Sequence, residues 1–459
     1  MKLNSDGSIN RYKARLVAKA YTQKYGIDYE DTFAPVAKMN TIRVLISLAA
    51  NLNWPLKQFD VKNAFLNGTI DEEVYMDPPP GTRCTDRVCK LKKALYGLKQ
   101  SPRAWFGRLS NYMRKLGYKQ SDADHTLFIK QTLGKVTALI VYVDDMVVTG
   151  NDPSEITVLQ RKLAAEFELK DLGNLKYFLG IEVARSAQGI SLCQRKYVID
   201  LLTETGMLDC KPSETPIEVN HGLSIHEDQV PTDKDKYQRL VGRLIYLSHT
   251  RPDIAYAVSV VSQFMHCPSK EHMEAVYRVL RYLKSSPGKG LFFGRYNDYN
   301  ISGYTDADWA GDHTDRKSTS GYFMFVGKNL VTWRSKKQKV VARSSAEAEF
   351  RGMAHGVCEL IWIKRIIQDL GLKHPEPMML HCDNKAAIAI ANNPVQHDRT
   401  KHVEVDRHFI KDHLNQGTIN LPFVSSQTQL ADVLTKAVSG NIFHSSLDKL
   451  GMMDIHSPP

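Results

Sequence analysis

Residues 139 to 148 read Leu-Ile-Val-Tyr-Val-Asp-Asp-Met-Val-Val, and no other segment limits the fold as strongly. Apolar, β-forming residues on both sides predict two buried strands, with Asp144 and Asp145 where one turns back into the other. Carboxylates are seldom buried unless paired or bound to metal, and adjacent like charges raise each other's pKa unless a cation neutralises them. A surface hairpin turn is the plain alternative, since Asp is a common turn residue. The segment lacks the Asn-Gly or Asp-Gly pair that short hairpins prefer.

Another β-like run, residues 55 to 59, closes on Asp60. Three acidic groups from two strands match the needs of two-metal phosphoryl transfer, in which one ion activates a 3′-hydroxyl and the other neutralises pyrophosphate. Between these runs lies residues 90 to 106, where Lys90, Lys92, Lys93, Lys99 and Arg103 interleave with Tyr96, Trp105 and Phe106. Cations for phosphates and rings for bases are the ingredients of nucleic-acid contact. Ser101 as N-cap, Pro102 at the first helical position and Gly117 past the end also delimit a helix there.

A second set of carboxylates follows. Residues 301 to 305 run as a strand into Asp306, and residues 378 to 382 run as another into Asp383. Strand ends are well placed to converge on a ligand outside a sheet. A third group comes from a helix predicted over 345 to 368, and Asp432 from the short amphipathic stretch 429 to 436.

The organisation is mixed α/β in two halves. Short β runs alternate with helical stretches to about residue 183, and residues 211 to 235 are rich in Pro, Ser, Thr and charge and read as a linker. Residues 237 to 283 show three helical runs broken at Arg251-Pro252 and Cys267-Pro268. Three strands, a long helix, a strand and further helices follow, making a second α/β domain. With 459 residues the chain exceeds a single small module, and its net charge of +11 suits a polyanionic partner. The seven cysteines are scattered without a CxxC pair, which predicts a reduced intracellular chain with no cysteine zinc site. The polar N-terminus and the lack of a long apolar run predict neither secretion nor a membrane span. His397, His402, His408 and His413 are spaced five, six and five apart, which puts no two on one helical face in ligand geometry and argues against zinc.

The segments ARLVAKAYTQKYGIDYEDTFAPVAK (14 to 38), QFDVKNAFLNG (58 to 68), EEVYMDPPPG (72 to 81), KALYGLKQSPRAW (93 to 105), YVDD (142 to 145) and YFLGIEV (177 to 183) resemble successive motifs of the reverse transcriptase of copia-type LTR retrotransposons. YTDADWAGD (304 to 312), RSSAEAEFRGMA (343 to 354), LHCDNKAAI (380 to 388), RTKHVEVDRHFI (399 to 410) and LADVLTK (430 to 436) resemble the RNase H domain of the same polyproteins. The resemblance implies a fingers-palm polymerase fold over 1 to 220, truncated at its N-terminus. A linker and helical connection over 221 to 299 and an RNase H-like α/β domain with a C-terminal tail over 300 to 459 would follow. It implies Asp60, Asp144 and Asp145 holding two Mg²⁺, with Mn²⁺ as a substitute, and the same role for Asp306, Glu349, Asp383 and Asp432. Phe65 would be a steric gate against the 2′-hydroxyl, Gly97 would lie near the nucleotide, and Phe178-Leu179-Gly180 would grip the primer. Lys13 and Arg15 would contact the triphosphate. Retroviral relatives carry Gln before the glycine where this chain has Tyr96, so that contact is not implied, and residues 423 to 431 lack the histidine of cellular RNases H.

Glu349 is preferred to Glu347 on physical grounds, because Ser344 and Glu347 have capping-box spacing and Glu347 can pair with Arg351. Asp308 could share the face of Asp306, though the motif favours Asp306. The implied partners are an RNA template, a DNA primer, an RNA–DNA hybrid and dNTPs. The implied activities are RNA-directed DNA polymerase and ribonuclease H. A defective remnant or domesticated nucleic-acid-binding protein, and a chain active only as RNase H, are the alternatives.

Overall fold

The computed structural model describes residues 2–3, 8–12, 14–82, 87–312, 314–374, 377–392 and 404–456. The chain forms two compact units, residues 1–38 with 55–174 and residues 39–54 with 175–459. It is mixed α/β throughout. The first helix, α1 (Met39–Asn51), belongs to the second unit and is buried along nearly its whole length. Ile42, Val44, Leu45, Ile46 and Leu48 carry much of that burial, and the buried polar groups are bonded, Arg43 Nε donating to Val331 O at 2.6 Å and Ser47 Oγ to Val326 O at 2.9 Å.

In the first unit, β1 (Leu56–Val61), α2 (Ser101–Lys115), β2 (Lys119–Gln120), β3 (Leu127–Thr132), β4 (Lys135–Tyr142), β5 (Asp145–Gly150), α3 (Pro153–Glu166) and β6 (Leu169–Asn174) follow in order. One sheet has the order β6-β1-β5-β4-β3-β2. Alternate residues of β1, β4 and β5 (Phe59, Leu139, Val141, Met146, Val148) pack against Trp105, Leu109 and Met113 of α2 and Ile156, Leu159 and Leu163 of α3. Strand period two and helix spacing three or four thus bury one face of each element. The helix expected to begin after a Ser101 cap instead includes Ser101, whose hydroxyl donates to Leu95 O at 2.6 Å, with Gln100 in the cap position. Pro102 thereby falls at the second helical position rather than the first, and Gly117 follows the end as expected, at φ +85°.

The second unit holds two sheets. In the first, β7 (Tyr177–Phe178), β8 (Ile181–Arg185), β9 (Gly189–Cys193) and β10 (Lys289–Gly294) lie in sequence order. The helices α4 (Arg195–Glu204), α5 (Lys234–Leu247), α6 (Ala255–Ser262) and α7 (Lys270–Ser285) come between β9 and β10. Breaks at Pro252 and Pro268 separate the last three, as the sequence predicts. The second sheet contains β11 (Ile301–Ala307), β12 (Thr319–Val326) and β13 (Asn329–Lys337), then β14 (Met378–His381) and β15 (Ile419–Asn420), in the order β13-β12-β11-β14-β15. β11 to β13 pair antiparallel, whereas β14 runs parallel to both β11 and β15. The parallel neighbours require crossovers, supplied by α8 (Ser345–Asp369), α9 (Lys385–Asn392) and α10 (Glu404–Asn415). A last strand, β16 (Met452–Asp454), returns to pair with β10 of the first sheet.

Candidate functional site

In the first unit, β4 and β5 form a hairpin in which Tyr142 pairs with Asp145 and only Val143 and Asp144 turn. Val143 has φ +56°, a left-handed conformation that a β-branched residue seldom adopts. Its carbonyl accepts from Trp105 Nε1 at 2.7 Å, and Asp144 O accepts from Val61 N at 2.9 Å, so packing imposes the strained turn. Asp60 lies opposite Asp145 in the β1–β5 register. The structure therefore brings Asp60, Asp144 and Asp145 together at one end of the sheet. Burial, then Asp144 and Asp60, push Asp145 up to about 6, against a hydrogen bond from Gln58. A cation among them would relieve that repulsion.

Phe65 lies in a 3₁₀ turn, Ala64–Asn67, with its ring 4.6 Å from the Tyr96 ring. The Arg15 guanidinium stands 4.2 Å over the same tyrosine. The Tyr96 hydroxyl is buried without a hydrogen-bond partner, and its pKa is raised by burial and by Asp144 and Asp60. Tyr96 therefore belongs to this site, which the mismatch with the retroviral Gln did not reveal. Gly97 has φ +97°, and a Cβ there would lie 2.2 Å from Ala18 O. Only glycine fits. Lys13 lies outside the described residues.

Phe178, Leu179 and Gly180 belong to the second unit. Phe178 pairs with Ile181, and Leu179 (φ +49°) with Gly180 (φ +74°) forms a two-residue hairpin turn whose Leu179 carbonyl accepts from the Tyr246 hydroxyl.

The second carboxylate set converges within the second unit. Asp306 is the last residue but one of β11, and Asp383 follows its parallel neighbour β14. Asp432 sits in a 3₁₀ turn, Leu430–Leu434, rather than an α-helix, and the turn is tied to β11 by Gln429 Nε2 donating to Thr305 O at 2.9 Å. Asp306, Asp383 and Asp432 offer oxygens all within 4.8 Å of one another, and Glu349 does so with Asp383 and Cys382. Burial and Asp306 push Glu349 up to about 10, and the same two causes push Asp432 to about 7. Glu349 Oε2 is a buried acceptor without a hydrogen-bond partner, and Asp432 Oδ1 is met by the Lys436 ammonium at 2.9 Å. Clustered carboxylate oxygens, one of them an orphaned buried acceptor, fit a hard divalent cation such as Mg²⁺.

Glu347 is accounted for by local structure. Its N–H donates to Ser344 Oγ at 3.2 Å, and its carboxylate accepts from Arg343 N at 2.8 Å and from Arg351 Nη2 at 3.0 Å. The back-bond of the expected capping box thus reaches Arg343, one residue before the cap. Asp308, pushed to about 7 by burial, accepts from Thr319 N and is not in the cluster. Two residues that sequence reasoning missed do touch it. Thr435 donates to Asp306 Oδ2, and Lys436 Nζ lies 2.9 Å from Asp432 and 4.0 Å from Asp306. The i,i+4 spacing of Asp432 and Lys436 was the available signal. His397 and His402 lie outside the described residues. His408 lies beside Glu404 at 3.9 Å, and His413 packs on Phe409.

The Retrovirus-related Pol polyprotein from transposon RE1 of Arabidopsis thaliana is 46% identical over the whole of this chain, which spans 31% of that protein's length. The putative transposon Ty5-1 protein of Saccharomyces cerevisiae is 34% identical over its full length, matching 66% of this chain. The family described as reverse transcriptase (RNA-dependent DNA polymerase) matches residues 1–219. The chain belongs to the copia-type retrotransposon Pol family. Among solved structures, prototype foamy virus protease-reverse transcriptase aligns over 89% of this copia-type chain and 48% of its own, at 12% identity and a TM-score of 0.22, a likeness too slight to carry an argument. Among the described residues of this Pol segment no helix is long and apolar enough to cross a membrane.

Proposed function

We propose that this Pol segment carries out two metal-dependent phosphoryl transfers, RNA-directed DNA synthesis and hydrolysis of RNA in RNA–DNA hybrids. The reading divides the chain into a reverse transcriptase to about residue 220, a helical connection, and an RNase H-like domain from about 300. The observation that carries it is the convergence of Asp306, Glu349, Asp383 and Asp432, four carboxylates whose mutual repulsion, with Glu349 Oε2 buried and unpartnered, calls for cations beyond the single Lys436 ammonium.

Asp60, Asp144 and Asp145 would hold the ions of the polymerase site, and the four later carboxylates those of the nuclease. When bound, Mg²⁺ supplies Lewis-acid activation of the attacking oxygen and neutralises the leaving one. The chain's own groups do the rest. Phe65, backed by Tyr96, occupies the space of a ribose 2′-hydroxyl, so that a dNTP fits and an rNTP clashes. Arg15, with Lys13, offers charge to the triphosphate, and Gly97 lets the Ala18 backbone pack closely beside Tyr96 near the nucleotide. Phe178-Leu179-Gly180 presents a rigid turn to the primer strand. In the nuclease half, Thr435 orients Asp306, and Lys436 balances the charge of Asp432 and Asp306.

Incubation with poly(rA)–oligo(dT), dTTP and Mg²⁺, beside a labelled RNA–DNA hybrid, tests both reactions. Primer extension and RNA cleavage, each lost on chelation with EDTA, are expected. Neither activity in a folded chain would overturn the proposal in favour of a non-catalytic remnant, and cleavage alone would leave only its nuclease half.

A further inference from the structure

On the flank of the second sheet, α8, α10 and the strands β12 and β13 enclose a recess of ≈ 320 Å³. Its wall carries Arg334, Lys336, Lys337, Lys339, Arg351 and His355, with Asp406 as its acidic residue. Two of these cations are already neutralised. Lys337 Nζ lies 2.6 Å from Asp312 and 2.9 Å from Asp315, and Arg351 pairs with Glu347 at 3.0 Å. Among the described residues no carboxylate comes within ion-pair distance of Arg334, Lys336 or Lys339. His355 reports the field inside the recess: burial first, then Arg334 and Lys336, hold it below its ordinary value against the pull of Asp406. The floor is rigid, with Gln338 Nε2 donating to Ser320 Oγ at 2.8 Å and to Ala348 O at 2.9 Å.

We propose that this recess is a phosphate-binding site, separate from the carboxylate cluster, that holds a phosphodiester of a bound nucleic-acid strand. It rests on the nucleic-acid reading above. Arg334, Lys336 and Lys339 outnumber Asp406, the one acidic lining residue, so their repulsion is only partly offset and an anion lodged among them removes the remainder. The guanidinium of Arg334 offers the planar fork that phosphate oxygens accept from in pairs, whereas Lys336 and Lys339 supply point charge. The volume exceeds a single phosphate and admits the attached sugar. Ser320 links the recess to the cluster, because Ser320 and Asp306 both border Gly352 on α8. A strand held in the recess is therefore held in a fixed relation to the carboxylates.

The test is fluorescence anisotropy of a labelled RNA–DNA hybrid, with Ca²⁺ in place of Mg²⁺ to prevent turnover, between 50 and 200 mM salt, settings of the order over which backbone contacts show their salt dependence. The side chains of Lys336 and Lys339 are exposed, so Lys336→Gln/Lys339→Gln should fold like the parent. It should bind about tenfold or more weakly, with a log–log salt slope reduced by about 1 to 2, since each phosphate contact contributes roughly 0.9. Lys373→Gln/Lys449→Gln removes the same charge from exposed positions elsewhere and should leave the slope unchanged. An unchanged slope in the recess variant, or an equal fall in the control, overturns the site. Failure of the parent chain to bind the hybrid overturns the nucleic-acid reading itself. Millimolar inorganic phosphate at constant ionic strength separates the two sources of the ligand: competition lost in the recess variant means that free phosphate shares the site, and no competition assigns it to the strand.

Discussion

Two glutamates two residues apart on α8 have opposite fates, and the difference is written in their partners. Glu347 spends its oxygens on Arg343 N and Arg351, whereas Glu349 leaves Oε2 buried and unpartnered among Asp306 and Asp383. Glu349→Gln is expected to lower RNase H turnover by several orders of magnitude with little loss of stability, because a metal centre depends on fixed anionic ligands. Glu347→Gln keeps an acceptor for Arg343 N and should cost about 0.3–0.5 kcal/mol through its helix pair. Parallel rates on one hybrid substrate decide the assignment, and the inverse pattern would reverse it. In the first unit, Phe65→Val should raise rNTP incorporation relative to dNTP. Because aromatic pairs contribute about 0.5–1.5 kcal/mol, Tyr96→Ala should loosen the same discrimination roughly twofold to tenfold by freeing the Phe65 ring, while Tyr96→Phe should not. Equal discrimination in all three variants would remove Phe65 from the gate. The carboxylates were legible because acids at the ends of apolar runs are costly enough to stand out. Tyr96, Thr435 and Lys436 were not, since a ring, a hydroxyl and an ammonium gain their role only from what folds against them.

Elements were legible where one residue type dictates backbone geometry. Pro252 and Pro268 mark the breaks between α5, α6 and α7, and Ser344 caps α8. The turn at Val143 was not legible as left-handed, because Trp105 and Val61 impose it from other elements. The cap of α7 depends on a distant partner too. Ser269 Oγ accepts from His272 N at 3.3 Å, and His272 Nδ1 accepts from Ser269 N at 3.0 Å. This leaves Nε2–H to donate to Ser224 O at 3.1 Å, and the ring stacks 3.8 Å from Phe264. The box needs a neutral imidazole. Burial lowers the His272 pKa in the folded chain from its ordinary 6.5, so its contribution is complete above pH 6.5 and is lost as pH falls through the folded value. Replacement by Gln, which keeps an acceptor for Ser269 N, should lower the melting temperature at pH 7.5 through lost stacking and the lost bond to Ser224. The gap between parent and His272→Gln should narrow as pH falls below about 6. A gap that widened on acidification would mean that the imidazole is charged in the fold.

At the scale of the whole molecule, the sequence announced two α/β halves through two sets of carboxylates. It did not announce which core α1 joins, because the carbonyls that receive its buried Arg43 and Ser47, those of Val331 and Val326, lie far along the chain. Each set of carboxylates rests on its own sheet: Asp60 and Asp145 face each other across β1 and β5, while Asp306 and Asp383 lie at the end of the parallel pair β11 and β14. No acidic residue is shared between the sets, and each lies within one compact unit. Loss of charge in one set therefore leaves the geometry of the other intact. Asp145→Asn should abolish primer extension and retain RNA cleavage in a preformed hybrid, and Asp383→Asn should do the reverse, with both variants melting close to the parent. Because Asp145 is held up to about 6 by burial and its acidic neighbours, the neutral Asn relieves repulsion in the metal-free chain, so a small rise in melting temperature without Mg²⁺ is expected. Adding Mg²⁺ should then stabilise Asp145→Asn less than the parent, since ligands bound only by the native state raise stability by mass action. Equal loss of both activities in either well-folded variant would show that the two reactions depend on one site, and two independent metal centres would have to be abandoned.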